Sequence, residues 1–187
     1  MHITQRGNFR SDVFVDDEDK AYYIRIFQFY KRKYKVKLYA WCLMDNHIHF
    51  ILEPSNLKGL ALLFKSLNIK YGHYINKKLK RTGRVWEGRY YSCLLDEEHL
   101  YEAIRYAELN PFRAKKENYL GDYYWSSYHE HMGIRNEVFL NKSPVPITKS
   151  EWRTYLIEGL GDDSFVEVIN SRTNQGKSIG EIVLKNG

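Results

Sequence analysis

The sequence predicts an α+β domain built on an antiparallel sheet. Short runs rich in β-branched and aromatic residues alternate with longer stretches of helical apolar spacing, and two of the short runs abut across an Asp-Asn pair. The chain has 187 residues, of which 43% are hydrophobic and 28% charged. That composition supplies one sizeable core and excludes wholesale disorder.

The elements follow in order. His2 to Gln5 reads as a short strand closed by the turn signal Arg6-Gly7-Asn8, with Ser11 to Val15 as a brief extended continuation. Asp16-Asp17-Glu18-Asp19 places negative charge at a helix N-terminus, and Tyr22, Ile26, Phe29 and Tyr30 continue that helix at near 3.6-residue spacing. Val36 to Met44 and His47 to Glu53 form a hairpin that turns at Met44 to Asn46. Ser55 is the expected N-cap of a helix to about Lys80, with Leu60, Leu63, Phe64, Leu67, Tyr71, Tyr74 and Ile75 on its buried face.

Thr82-Gly83 ends that helix, and Arg84 to Asp96 reads as another strand. Glu97 to Asn110 is a helix stopped by Pro111, with shorter helices near Phe112 to Tyr119 and Ser126 to Met132. This order matches a split β-α-β, ferredoxin-like antiparallel sheet with helices on one face. Residues 1–133 are expected to form the main domain. Residues 134–187 read as a linker marked by Pro144 and Pro146, then a short, mostly helical segment with signals from Lys149 to Leu160 and Asp162 to Asn170. Asn174 to Gly187 carries no assignment.

Twenty-nine Lys and Arg against twenty-three Asp and Glu leave a formal charge of +6, which favours a polyanionic partner. Sixteen tyrosines suit stacking on unpaired bases, although a Tyr-rich core explains them equally well. Cys42 and Cys93 sit inside apolar runs, which argues against a disulfide framework and for a reducing, cytoplasmic compartment. The N-terminal residues lack the apolar core of a signal peptide, and no apolar run of about eighteen residues marks a membrane span.

The sharpest local signal is His47-Ile48-His49. On a strand the two imidazoles point the same way, roughly 7 Å apart, and neutral ring nitrogens can face a divalent cation. Two nearby histidines on a strand face are also ordinary polar residues in most proteins. Tyr106 and Asn110 lie four residues apart, hence on one helix face. Together they offer a phenol and one hard oxygen ligand; apart from the His pair, Tyr106 reads as core filler and Asn110 as a helix-end residue. A basic run of Lys65, Lys70, Lys77, Lys78, Lys80, Arg81, Arg84 and Arg89 is interleaved with Tyr71, His73, Tyr74, Trp86, Tyr90 and Tyr91. Phosphate contacts and base stacking are the expected use of that cluster, with Arg6, Arg113 and the Lys31–Lys35 and Lys115–Lys116 groups extending it. A solvated basic helix face with its aromatics turned inward is the plainer alternative.

Leu43 to Phe50, taken with Tyr106-Ala107-Glu108-Leu109-Asn110-Pro111, resembles the single-tyrosine transposases of the IS200-like group, within the His-hydrophobe-His endonucleases. The Ile3 to Asn8 and Trp86 to Tyr90 stretches look like its repeat-associated branch. The resemblance runs from about His2 to Met132 and makes residues 1–133 the catalytic domain. It implies that His47 and His49 are metal ligands, Tyr106 the nucleophile, and Asn110 the amide completing the metal site.

The implied activity is Mg²⁺- or Mn²⁺-dependent cleavage and rejoining of single-stranded, hairpin-forming DNA through a 5′-phosphotyrosine, in a monomer or a homodimer. His99, Glu97, Glu98 and Glu108 are candidate bases only by proximity in sequence. A retired relative that binds hairpins without cutting, and a replication-type nickase, are the alternatives.

Overall fold

Side-chain alternation along one strand decides the architecture. In a computed structural model, which describes residues 1–144, 148–161 and 164–180, strand β3 (His47–Pro54) buries Ile48, Phe50 and Leu52 in one apolar cluster and Ile51 in another. A strand with a core on each side needs helices on each side. The first cluster is closed by α1 (Asp17–Lys33) and α2 (Leu57–Lys78), the second by α3 (Glu97–Arg113), α5 (Lys149–Glu158) and α6 (Ser164–Gln175). The fold is therefore α+β with an antiparallel sheet, as expected, but its helices cover both faces rather than one.

The sheet runs in the order β2 (Val36–Met44), β3, β1 (His2–Arg6) and β4 (Tyr91–Cys93), all neighbours antiparallel. This is the order of a split β-α-β sheet, in which β1 and β3, joined through α1 and the β2–β3 hairpin, lie side by side at the centre. The β1–β3 register sets Thr4 opposite His49 and Arg6 opposite His47.

Several boundaries differ from the expected ones, each for a local reason. The fourth strand shrinks from the expected Arg84 to Asp96 because Val85 and Trp86 tuck into the core and Glu87 N–H donates to the Arg6 carbonyl (3.0 Å). Ser11 to Val15 forms no strand; Val13 and Phe14 instead donate to the Asp45 carbonyl at 2.8 and 3.0 Å. Asn56, not Ser55, caps α2, accepting from Gly59 N–H at 2.7 Å. Helix α3 passes through Pro111, because the Ala114 N–H still closes a turn on the Asn110 carbonyl (2.9 Å) and Leu109 and Pro111 are both buried. Proline biases the residue before it but does not compel an end. No separate helix follows at 114–119, and near residue 130 only α4 (Tyr128–His131) forms.

Beyond Gly133, α5 and α6 set Trp152, Leu156 and Ile169 into the second cluster, each fully buried. Pro146, Asp162 and residues 181–187 lie outside the described residues. Both cysteines are free and buried, and no helix among the described residues is long and apolar enough to cross a membrane.

A single carboxylate locks α1 to α2. Asp19 is fully buried and forms a reciprocal capping box with Asp16. It also accepts from Val15 N–H (2.8 Å), Tyr74 Oη (2.9 Å) and Lys78 Nζ (2.7 Å). Asp19→Ala leaves buried donors without an acceptor and is expected to lower stability by about 2–3 kcal/mol, read as a fall in the urea midpoint at unchanged slope.

Candidate active site

The sheet face covered by α3 and α6 carries the histidines. The rings of His47 and His49 stand 4.9 Å apart and nearly perpendicular. His47 is half-buried, with Nδ1 2.6 Å from the Asn46 side-chain oxygen. That oxygen only accepts, so Nδ1 carries the proton and Nε2 keeps its lone pair. His49 is 3% exposed; its Nε2 is buried without a partner, and its Nδ1 meets Nε2 of a third histidine, His2, at 2.9 Å. Burial lowers the pKa of His47 to about 4, with Arg6 adding to the effect and Asp45 opposing it. Burial likewise holds His49 well below its ordinary value, helped by His47, His2 and Arg6. Both rings are thus neutral at pH 7, the state a metal ligand requires.

Tyr106 projects from α3 onto these rings. Its ring meets His49 edge-on at 5.4 Å and His2 at 5.6 Å. The residue is 4% exposed, and its hydroxyl donates to the Asn170 side-chain oxygen of α6 at 2.8 Å. Burial pushes the phenol pKa up, against the Asn110 and Asn170 side chains, Arg113 and Arg6. Asn110, one turn on, is half-buried and uses its amide nitrogen on the Tyr106 carbonyl (2.8 Å), so Oδ1 is the side-chain atom with the chemistry to ligate a cation. Among the described residues no hydrogen bond joins Asn110 to either imidazole.

Three contributors escaped the sequence reading. His2 becomes visible only once β1 pairs with β3, and Asn170 and Thr173 only once Ile169 anchors α6. The four candidate bases are placed elsewhere. Glu108 is buried in a network with Ser127, His131 and Trp152. His99 is held by Asp96 in the first turn of α3, about 10 Å of helix from Tyr106, and Glu97 and Glu98 are exposed beside it.

Among the expected phosphate contacts, Arg6, Lys65, Lys70, Lys77, Lys80, Arg81, Arg84 and Arg89 are exposed. Two take other parts. Lys78 is paired with Asp16 and Asp19, and Arg113 is half-buried, donating to the Gly159 carbonyl at 3.2 Å. Tyr71 and Trp86 are core residues, so they are not free to stack on bases; Tyr91 is 42% exposed. A cleft of about 240 Å³ opens beside the site between Arg6, Glu87, Tyr91 and Asn174. Through Glu87 and Tyr91 it adjoins a larger one of about 790 Å³ walled by Phe64, Lys65, Asn68, Arg89 and Tyr90.

Residues 1–110 match the IS200-like transposase family, a span that holds His2, His47, His49, Tyr106 and Asn110. The chain belongs to the IS200-like transposases. The backbone is also similar to a solved REP-associated tyrosine transposase bound to a REP hairpin, with a TM-score of 0.58 over 78% of this chain and 87% of that one, at 14% identity. No curated protein matches the sequence significantly. The family match stops short of α6, so the Asn170 and Thr173 contacts belong to the segment outside it.

The donor set of this transposase fits a divalent cation. Each of the two neutral imidazoles has one lone-pair nitrogen, and Nε2 of His49 is buried without a partner. Among the described residues no three His, Cys, Asp or Glu side chains converge as a metal site. Two imidazoles therefore need an oxygen ligand of another kind, which the carboxamide of Asn110 can provide.

Proposed function

We propose that this IS200-like transposase cleaves and rejoins single-stranded, hairpin-forming DNA, with Tyr106 as nucleophile. The observation that carries the reading is the packing of the Tyr106 ring against His49, whose Nε2 is buried without a partner. Tyr106 Oη attacks phosphorus, the bond from phosphorus to the 3′-oxygen breaks, and the 5′-phosphate becomes esterified to the phenol. The phenolic proton ends, in net terms, on the departing 3′-hydroxyl, and attack by a second 3′-hydroxyl reverses the step without hydrolysis.

A divalent cation held by His47 Nε2, His49 Nε2 and Asn110 Oδ1 would neutralise phosphate charge and polarise the scissile bond. Two nitrogen ligands suit Mn²⁺ at least as well as Mg²⁺. The catalytic unit is assigned to residues 1–133, with α6 of the 134–187 segment lying across it. Tyr106 reaches a phosphate only when its bond to Asn170 opens. With one tyrosine per chain, two joinings use either two subunits or one site twice.

The test is covalent capture. A hairpin oligonucleotide with a single-stranded flank, labelled at its 3′ end, should give an SDS-stable protein adduct in Mn²⁺ and none in chelator, while the same oligonucleotide labelled at its 5′ end should leave the protein unlabelled. One observation favours a second reading, hairpin binding without cleavage: the sealed position of Tyr106. Tight hairpin binding with no adduct in Mn²⁺ selects that reading.

The exposed lysines and arginines along the two clefts are assigned to phosphate contacts. Lys65→Ala and Arg89→Ala should each lower the slope of log affinity against log salt by about 0.7–0.9 and weaken binding across all sequences alike. Fluorescence anisotropy between 50 and 200 mM salt measures both, and unchanged slopes would remove these residues from the DNA path.

A further inference from the structure

We infer that His2 is a positioning residue, which fixes the tautomer of His49 so that Nε2 of His49 presents a bare lone pair to the cation. The inference rests on the ligand role proposed for His49. Its basis is a linear chain of three side chains from three elements. Thr173 Oγ1 of α6 lies 2.8 Å from His2 Nδ1, and His2 Nε2 lies 2.9 Å from His49 Nδ1, with the two rings within 9° of parallel. His2 is fully buried, Thr173 is 1% exposed, and the far nitrogen of His49 is buried with no partner.

Two neutral imidazoles share one proton across such a contact, so only two arrangements exist. If His2 Nε2 donates, His49 must carry its own proton on Nε2, where it is a buried donor with no acceptor; buried N–H groups are seldom left in that state. If His49 Nδ1 donates, His2 Nε2 accepts, and the remaining His2 proton on Nδ1 has the Thr173 hydroxyl as acceptor. Every ring proton then has a partner, and the one ring nitrogen left over is an acceptor, Nε2 of His49, on a ring that packs against those of His47 and Tyr106. A histidine that ligates a metal commonly donates its other N–H to a fixed acceptor, which orients the ring and raises its basicity. Here the acceptor is a second imidazole, anchored in turn by a helix from beyond the family match.

Two measurements on the full chain test this. In long-range ¹H–¹⁵N spectra of the metal-free protein, His49 should show a protonated Nδ1 and a bare Nε2; a protonated Nε2 overturns the inference without reference to any metal. Mn²⁺ alone is then titrated, with free ion followed by electron paramagnetic resonance and folding by thermal melts. His2→Phe, which fills the space but accepts nothing, should weaken Mn²⁺ binding about 10–100-fold.

His2→Gln, whose Oε1 can take the place of Nε2, should retain most of the affinity, and Thr173→Val should lose less than His2→Phe. Wild-type Mn²⁺ affinity in His2→Phe, beside lost affinity in His49→Ala, overturns the role of His2 and leaves the ligand reading intact. Unchanged affinity in His49→Ala overturns the ligand reading and the role of His2 with it. Should His2→Phe fail to melt cooperatively, Thr173→Val and the tautomer spectrum decide between the same outcomes.

Discussion

Tyr106→Phe abolishes the covalent protein–DNA adduct, by at least about 10³-fold, and leaves hairpin affinity unchanged. The ring stays, so its edge contacts with His2 at 5.6 Å and His49 at 5.4 Å persist and the imidazoles keep their places. What is lost is the hydroxyl proposed to attack phosphorus, and losing a nucleophile removes nearly all the chemistry of its step. The stability change is expected to be small, about 1 kcal/mol, because the variant gives up one hydrogen bond and leaves the Asn170 oxygen near enough to solvent to be rehydrated. An SDS-stable adduct that persists in the variant assigns the attack to another group. A loss of hairpin binding in parallel with the adduct would show that the hydroxyl positions DNA rather than attacks it.

The His pair and the hairpin that presents it were legible because they depend on local rules. A strand alternates its side chains whatever surrounds it, and Asp45-Asn46 turns whatever it connects; β2 and β3 accordingly fall at Val36–Met44 and His47–Pro54. Helix spacing set Tyr106 and Asn110 on one face of α3, and only the family resemblance tied them to the His pair, which the Tyr106 ring meets at His49. His2, Asn170 and Thr173 were not, because each reaches the site through a contact across 47 to 171 positions of chain that no local pattern encodes. Helices on both faces of the sheet were missed for a related reason. Alternation in β3 sets the His pair opposite Ile48, yet Ile51 shares the histidine side and extends it into a second core with Ala103, Ile104 and Trp152. Stretches of Lys and Tyr mislead in the opposite sense. Tyr71 and Trp86 lie among basic residues in sequence but point inward, because a helix and a tight loop each have an inner side as well as an outer one.

Glu108→Gln costs about 3–5 kcal/mol of stability, and the cost is larger at pH 6 than at pH 9. Glu108 sits on α3 two residues beyond Tyr106, with its side chain fully enclosed. Oε1 accepts from Ser127 Oγ at 2.5 Å and from His131 Nδ1 at 2.6 Å, while Oε2 accepts from Trp152 Nε1 at 2.8 Å. Ser127 Oγ also takes the Trp41 N–H at 3.1 Å, so one carboxyl group ties α3 to α4, α5 and strand β2. Glutamine has nearly the same shape but replaces one acceptor oxygen with an NH₂, which must then face a donor in a fully enclosed site. The pH dependence comes from His131. Burial works to lower its pKa, but the Coulombic pull and hydrogen bond of Glu108 outweigh that and hold it above its ordinary 6.5. A histidine with a raised folded pKa contributes stability in full below its unfolded value and loses it as pH rises through the folded one. The charged half of the pair therefore counts for more at pH 6 than at pH 9, where the neutral hydrogen bonds make up more of what glutamine disturbs. Urea midpoints of both proteins at the two pH values measure the difference; equal losses at pH 6 and pH 9 would show that His131 does not carry a charge in the folded protein.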